Sequence, residues 1–161
     1  MWREVSDGYP PARRLADKHY SRKTSGATLF VGPGEKMVLL TPENDALFVW
    51  RLSVYRLDGQ EGIECTLFRN EGRHLSSDLI REACLWAWQR WPNERLFTYV
   101  DTRKVESEHP GYCFLMAGWQ KCGHNKSGHL LILENTEPQT EVPEGYMEQV
   151  KLFVETDWRR G

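Results

Sequence analysis

The side chains best suited to chemistry gather around Arg69-Asn70-Glu71-Gly72-Arg73-His74. This polar run separates a β-prone stretch holding Ile63, Cys65, Leu67 and Phe68 from a helical pattern. Leu79, Ile80, Ala83, Cys84, Ala87 and Trp91 carry the helical period, and Pro92 closes it. A helix start leaves backbone N–H groups without intrahelical partners, and the aligned peptide dipoles favour negative charge there. Gly72 permits a turn and a close approach to a ligand, while Arg69 and Arg73 supply fixed charge suited to phosphate oxygens. Ser76 or Ser77 is the expected N-cap, and Asp78 has the sign that the first turn prefers. The alternative is an ordinary strand-turn-helix with solvated arginines, because short glycine-containing loops often mimic phosphate sites.

These residues need a scaffold. A chain of 161 residues with 40% hydrophobic residues and seven tryptophans reads as one ordered domain, with a core between a sheet and helices. A formal net charge of −2 gives no global attraction to nucleic acid or anionic lipid, so such a partner would have to meet a local patch. No apolar run approaches the roughly 20 residues that span a bilayer, and residues 1–11 lack the layout of a signal peptide. The expectation is a cytoplasmic protein without a membrane partner. Cys65, Cys84, Cys113 and Cys122 form no C-x-x-C pair, and Cys65 and Cys84 fall where cysteine acts as a small buried hydrophobe. Cys113, Cys122, His124 and His129 fit none of the usual spacings of structural zinc, so no metal is expected.

Residues 1–11 read as an irregular lead-in, because Gly8 and Pro10-Pro11 disfavour a helix. Residues 12–28 are the most basic stretch, with Arg13, Arg14, Lys18, Arg22 and Lys23 around His19 and Tyr20. They form either a solvated face or a substrate-facing segment in which cations track a phosphate backbone and a ring reaches a base. Short turns then link strands at 36–40, 46–55 and 63–68 in an antiparallel meander. After the helix, residues 95–100 read as a strand parallel to the one ending at Phe68, since a strand-helix-strand crossover favours that arrangement. Asp101 follows its carboxyl end, where ligands gather in open α/β sheets. A loop at 104–111, a short helix at 112–117 ended by Gly118, a hairpin over 119–134, a loop holding Pro138 and Pro143, and a strand at 150–155 complete the chain. The expected fold is α/β: a twisted mixed sheet of about six to seven strands flanked by helices.

From about residue 29 to 134 this series resembles the GNAT acyltransferase superfamily. That family writes its pyrophosphate loop Q/R-x-x-G-x-G/A; Arg69 and Gly72 match the first and fourth positions, and His74 stands at the sixth, where the family has a small residue. Either the loop takes a wider turn, or the nucleotide cofactor binds differently or has been lost. Pro110-Gly111-Tyr112-Cys113-Phe114-Leu115-Met116-Ala117-Gly118-Trp119 is similar to the helix of these enzymes whose tyrosine commonly points at the thioester sulfur. His19-Tyr20, Arg69, Asp101 and Tyr112 follow the order and approximate spacing of polar residues important in the Mom-type DNA-modifying branch of phages and prophages.

The resemblance implies a single GNAT-like domain. Acetyl-CoA or another acyl-CoA would lie over Phe68, Arg69, Gly72, Arg73, His74, Ser76 and Ser77. The acceptor would be a nucleobase amino group in DNA, on adenine or on an aminomethylated pyrimidine, and a homodimer is compatible with it. An amine attacks a thioester only when neutral, so His19, with Tyr20 beside it, or Asp101 would receive the proton. Tyr112 would protonate the departing thiolate, and a backbone N–H near Phe68 would hold the oxyanion. The base must leave the stack, with Arg13, Arg14, Lys18, Arg22, Lys23 and Lys104, together with Arg103, Arg159 and Arg160, on flanking phosphates. The alternatives are a GNAT acting on a small amine or protein lysine, a degenerate GNAT-like binding module, and DNA modification with another donor.

Overall fold

The computed structural model describes residues 1–19, 27–52, 59–104 and 111–138. Within them the chain runs β1 (Arg3–Val5), α1 (Pro10–Asp17), β2 (Glu35–Leu40), β3 (Ala46–Leu52), β4 (Ile63–Asn70), α2 (Ser76–Arg90), β5 (Leu96–Asp101), α3 (Tyr112–Met116), β6 (Gln120–His124) and β7 (Leu130–Asn135). The strands form one mixed seven-stranded sheet in the order β1-β2-β3-β4-β5-β7-β6. Every pairing is antiparallel except β4 with β5, which the α2 crossover makes parallel. The expected α/β fold and its six to seven strands are thus observed.

Side-chain alternation sends the two faces of the sheet into two cores. Met37, Leu39, Phe48, Trp50, Ile63 and Cys65 point toward α2 and α3, where they meet Leu79, Ile80, Ala83, Cys84, Ala87 and Phe114. Val38, Leu40, Leu47, Val49 and Leu67 point the other way and bury Ala12, Leu15 and Ala16 of α1. Two indoles fasten α2 to the sheet: Trp2 Nε1–H donates to the Leu79 carbonyl at 2.8 Å, and Trp50 Nε1–H to the Ala83 carbonyl at 3.0 Å. Both ring systems are fully buried, so these bonds satisfy donors that would otherwise cost free energy. Cys65 and Cys84 are buried free thiols; burial pushes the Cys84 thiol up to about 12. No helix among the described residues is long and apolar enough to cross a membrane.

Several boundaries differ from expectation for physical reasons. The lead-in is structured: β1 pairs with β2 from Arg3↔Leu40 to Val5↔Val38, and Pro10-Pro11 open α1 instead of preventing it. At the first helical positions the proline N–H is not needed and its fixed φ suits the helix. Arg69 and Asn70 belong to β4, not to the turn, because β3 continues to pair with them at Leu47↔Arg69 and Ala46↔Asn70. Asp101 is the last residue of β5, held by Leu130 of β7. The end of the strand expected at 46–55, part of the loop expected at 104–111 and the strand expected at 150–155 lie outside the described residues.

Replacing Trp50 by Phe removes an indole N–H and part of a buried ring that stacks on Trp119 with 6.2 Å between centroids. The expected cost is about 1–3 kcal/mol. Urea denaturation monitored by circular dichroism measures it.

Candidate functional site

The site begins with a break in the alternation of β4. Register passes from Val49↔Leu67 to Trp50↔Cys65, so Thr66 is an extra residue on β4, a β-bulge. Ile63 and Cys65 therefore face α2, Leu67 faces α1, and Phe68 returns to the α2 face. Arg69 then falls on the α1 face, and Asn70 on the α2 face, where its Nδ2–H₂ donates to Ser76 Oγ at 2.9 Å.

At the same place β4 and β5 separate. They pair only at Ile63↔Leu96, Glu64↔Phe97 and Cys65↔Thr98; beyond that β4 stays with β3 as far as Asn70, and β5 stays with β7 as far as Asp101. Thr98 Oγ1–H donates to the Cys65 carbonyl at 2.8 Å and closes the apex of the split. Phe68 and Phe114 bridge the split on the α2 face with 6.0 Å between ring centroids, and Trp119 backs Phe114 at 4.9 Å. That side is lined by aromatic rings; on the opposite side Arg69 reaches the Lys18 carbonyl at the end of α1.

The mouth of α2 opens beside the split. Leu75, not Ser76 or Ser77, is the N-cap, and no side chain caps the helix. Ser76 is engaged by Asn70, and Ser77 is buried. Among the described residues no acceptor takes the backbone N–H of Arg73, His74, Leu75, Ser76 or Ser77. Arg73 is exposed, and its guanidinium meets no carboxylate there. Five amides without an acceptor and a guanidinium without a carboxylate among the described residues, at a helix N-terminus, suit an anion.

Other parts of the loop are not open. Glu71 N–H donates to the Asp45 carbonyl at 2.7 Å, and Gly72 N–H to Asn70 Oδ1 at 3.0 Å. A β-carbon on Gly72 would collide with the Asp45 carboxylate, so the missing side chain makes room for Asp45, not for a ligand. Thr41 Oγ1–H fixes that carboxylate at 2.7 Å. His74 turns Nε2 toward Glu43 at 3.8 Å.

Arg69 is committed elsewhere as well. Its Nε–H donates to Glu71 Oε2 at 2.6 Å, its Nη1–H to the Lys18 carbonyl at 3.3 Å, and Lys18 Nζ lies 3.4 Å from Glu71 Oε1. The hydrogen bond from Arg69, aided by Lys18, holds the Glu71 carboxyl below its ordinary range. His19 sits beside this cluster, one residue beyond Lys18. Burial, then the positive charge of Arg69, lowers its imidazole from 6.5 to about 4. It is neutral at pH 7.

Asp101 is buried and folded onto its own turn: its Oδ1 accepts the Arg103 backbone N–H at 3.0 Å and the Arg103 guanidinium at 3.4 Å, which holds the carboxyl low. Tyr112 opens α3 and is 56% exposed. Its N-cap Gly111 has φ 80°, and a β-carbon there would press into Leu133, so glycine is required. Arg14 reaches the Asn44 carbonyl at 3.4 Å, whereas Arg13 and Lys104 meet no carboxylate among the described residues. Tyr20, Arg22 and Lys23 lie outside the described residues, as do Arg159 and Arg160. The structure thus gathers Lys18, His19 and Arg69 on one side of the sheet and Arg73, Ser76 and Ser77 at the helix mouth. Sequence reasoning missed Asp45, Glu71 and Thr66; only the β2–β3 turn signal hinted that Asp45 would reach the loop.

Two measurements follow. Gly72→Ala is expected to destabilise the fold by about 1–3 kcal/mol, and Asp45→Ala to remove part of that penalty in a double-mutant cycle. The His19 value in the folded chain, about 4, lies below its ordinary 6.5. The unfolded chain therefore binds more protons between these values, and stability rises with pH through that window, by at most about 3 kcal/mol. The contribution is complete above 6.5 and gone below 4, and His19→Asn flattens this part of a thermal-denaturation profile taken from pH 4 to 7.

No protein-family model and no curated protein matches the chain.

Proposed function

We propose that the protein transfers an acyl group from acyl-CoA to an amino group of a nucleobase in DNA. The observation that carries this reading is the coincidence, at one end of the sheet, of the β4–β5 split with the uncapped mouth of α2. The amides of residues 73–77 and the Arg73 guanidinium fit a diphosphate, and an extended amide-bearing arm would lie in the split, where β4 and β5 no longer pair with each other. The order of elements, with a meander, an arginine-glycine loop, a long helix, a parallel strand, a short tyrosine-led helix and a hairpin, supports the GNAT resemblance of the sequence.

In this reading the amine nitrogen attacks the thioester carbonyl carbon from the α1 face, since the Phe68 and Phe114 rings line the other. The C–N bond forms, the C–S bond breaks, and a backbone N–H at the split near Phe68 holds the oxyanion. His19, neutral at pH 7, takes the amine proton, and the Tyr112 hydroxyl supplies one to the departing sulfur. Asp101 anchors the end of β5 through its hydrogen bonds to Arg103 and is the weaker candidate for base. A second reading, a non-catalytic module on the same scaffold, is favoured by the Asp45 carboxylate beside Gly72, which opposes anions at that edge of the loop.

Mass spectrometry of nucleosides from DNA of cells producing the protein tests the first reading. The expected result is an acylated nucleoside absent from the His19→Asn control. Titration calorimetry separates the second: Arg73→Ala should weaken acetyl-CoA binding about tenfold, and a wild-type chain without measurable affinity for acetyl-CoA rejects acyl transfer.

A further inference from the structure

The cations of the arginine-glycine loop are divided between the two faces of the sheet. Thr66 shifts the alternation of β4 so that Arg69 points to the α1 face, whereas Arg73 remains at the mouth of α2. Arg69 and Lys18, from different elements, converge on the two oxygens of one carboxylate: Nε to Oε2 at 2.6 Å and Nζ to Oε1 at 3.4 Å. A phosphodiester presents two anionic oxygens at similar spacing and suits the same pair of donors.

We propose that Arg69 and Lys18 form the seat of a backbone phosphate of the acceptor strand, and that Glu71 fills this seat as an internal competitor until the strand docks. The proposal rests on the reading of a nucleic-acid acceptor and assigns Arg69 to the acceptor, not to the nucleotide donor.

The seat is preformed. The Lys18 carbonyl at the end of α1 accepts Arg69 Nη1–H at 3.3 Å, so the guanidinium keeps its place when the carboxylate leaves. Glu71 can swing out without unfolding the loop, because its backbone N–H stays on the Asp45 carbonyl at 2.7 Å. All three side chains are reachable, with exposures of 47% for Lys18, 35% for Arg69 and 29% for Glu71. Two cations against one carboxylate leave a net positive charge, and exchange of Glu71 for phosphate costs little, because exposed ion pairs contribute little to stability. His19 stands next to this seat, so a phosphate held there brings the adjoining nucleobase toward the α1 side of the split.

Two titrations of the full chain decide it: a short single-stranded DNA oligonucleotide followed by fluorescence anisotropy, and acetyl-CoA followed by calorimetry. Arg69→Ala should weaken the oligonucleotide about tenfold and leave acetyl-CoA unchanged, with Arg69→Lys between the two. Glu71→Gln should tighten the oligonucleotide several-fold by removing the competitor, and Arg73→Ala should weaken acetyl-CoA alone. Equal loss of both ligands in Arg69→Ala, unchanged oligonucleotide affinity in Arg69→Ala or Glu71→Gln, or no oligonucleotide binding by the wild type overturns the seat. Oligonucleotide binding with the expected shifts but no affinity for acetyl-CoA overturns acyl transfer and leaves the seat standing.

Discussion

One extra residue in a strand governs the polar end of this molecule. A β-strand commits alternate side chains to opposite faces, so inserting Thr66 reverses the assignment of every residue after it. Without it, Leu67 would leave the α1 core, Phe68 would lose Phe48 and Phe114, and Arg69 would be carried to the α2 face. The bulge lies next to the last β4–β5 register pair, Cys65↔Thr98. A bulge bends its strand and increases local twist, which is why β4 follows β3 away from β5 at that point. The sheet behaves as two half-sheets, β1-β2-β3-β4 and β5-β7-β6, joined along a short seam and open at one end.

The open end needs rigid walls, and the aromatic core supplies them. Trp2 and Trp50 pin the sheet to α2 through carbonyls four residues apart, while Phe48, Phe68, Phe114 and Trp119 form a continuous set of ring contacts across the seam. Such rings have few rotatable bonds and pack at crystal-like density, so the gap does not collapse for lack of a β4–β5 ladder. The loop at its rim is held in the same way: Thr41, Asp45, Asn70 and Ser76 consume the polar groups near Gly72 and leave the next amides without an acceptor among the described residues.

The sequence carried the sheet and α2 well because their signals are spread over many residues. The β-prone runs at 36–40 and 63–68 bounded by turn residues, the helical spacing of Leu79 to Trp91 and the crossover logic of a strand-helix-strand unit each depend on many residues at once. Single-residue features were harder to read. Pro10-Pro11 signal both a break and a helix start, and only the burial of Ala12, Leu15 and Ala16 decides between them. Ser76 and Ser77 have the right chemistry for an N-cap, but Asn70 takes the first and the core takes the second, so Leu75 occupies the cap with extended backbone. A bulge has no compositional mark, so the face on which Arg69 emerges was not legible. The glycine at position 72 was, although its cause is the Asp45 carboxylate and not a ligand.

The resting electrostatics also bear on why an imidazole would serve at this place. His19 is held neutral mainly by burial and secondly by Arg69, so at pH 7 its imidazole is unprotonated, the form that a proton acceptor needs. A base with so low a proton affinity is a poor sink in isolation. The smaller, electrostatic part of that lowering comes from the neighbouring guanidinium, which Glu71 pairs in the free protein and an incoming anion would have to pair in its place. The charge balance around His19 is therefore set on the α1 face of the sheet, while the donor's diphosphate would be met on the α2 side. The split between β4 and β5 is where the two would meet, so the chemistry proposed here needs both half-sheets but neither one alone.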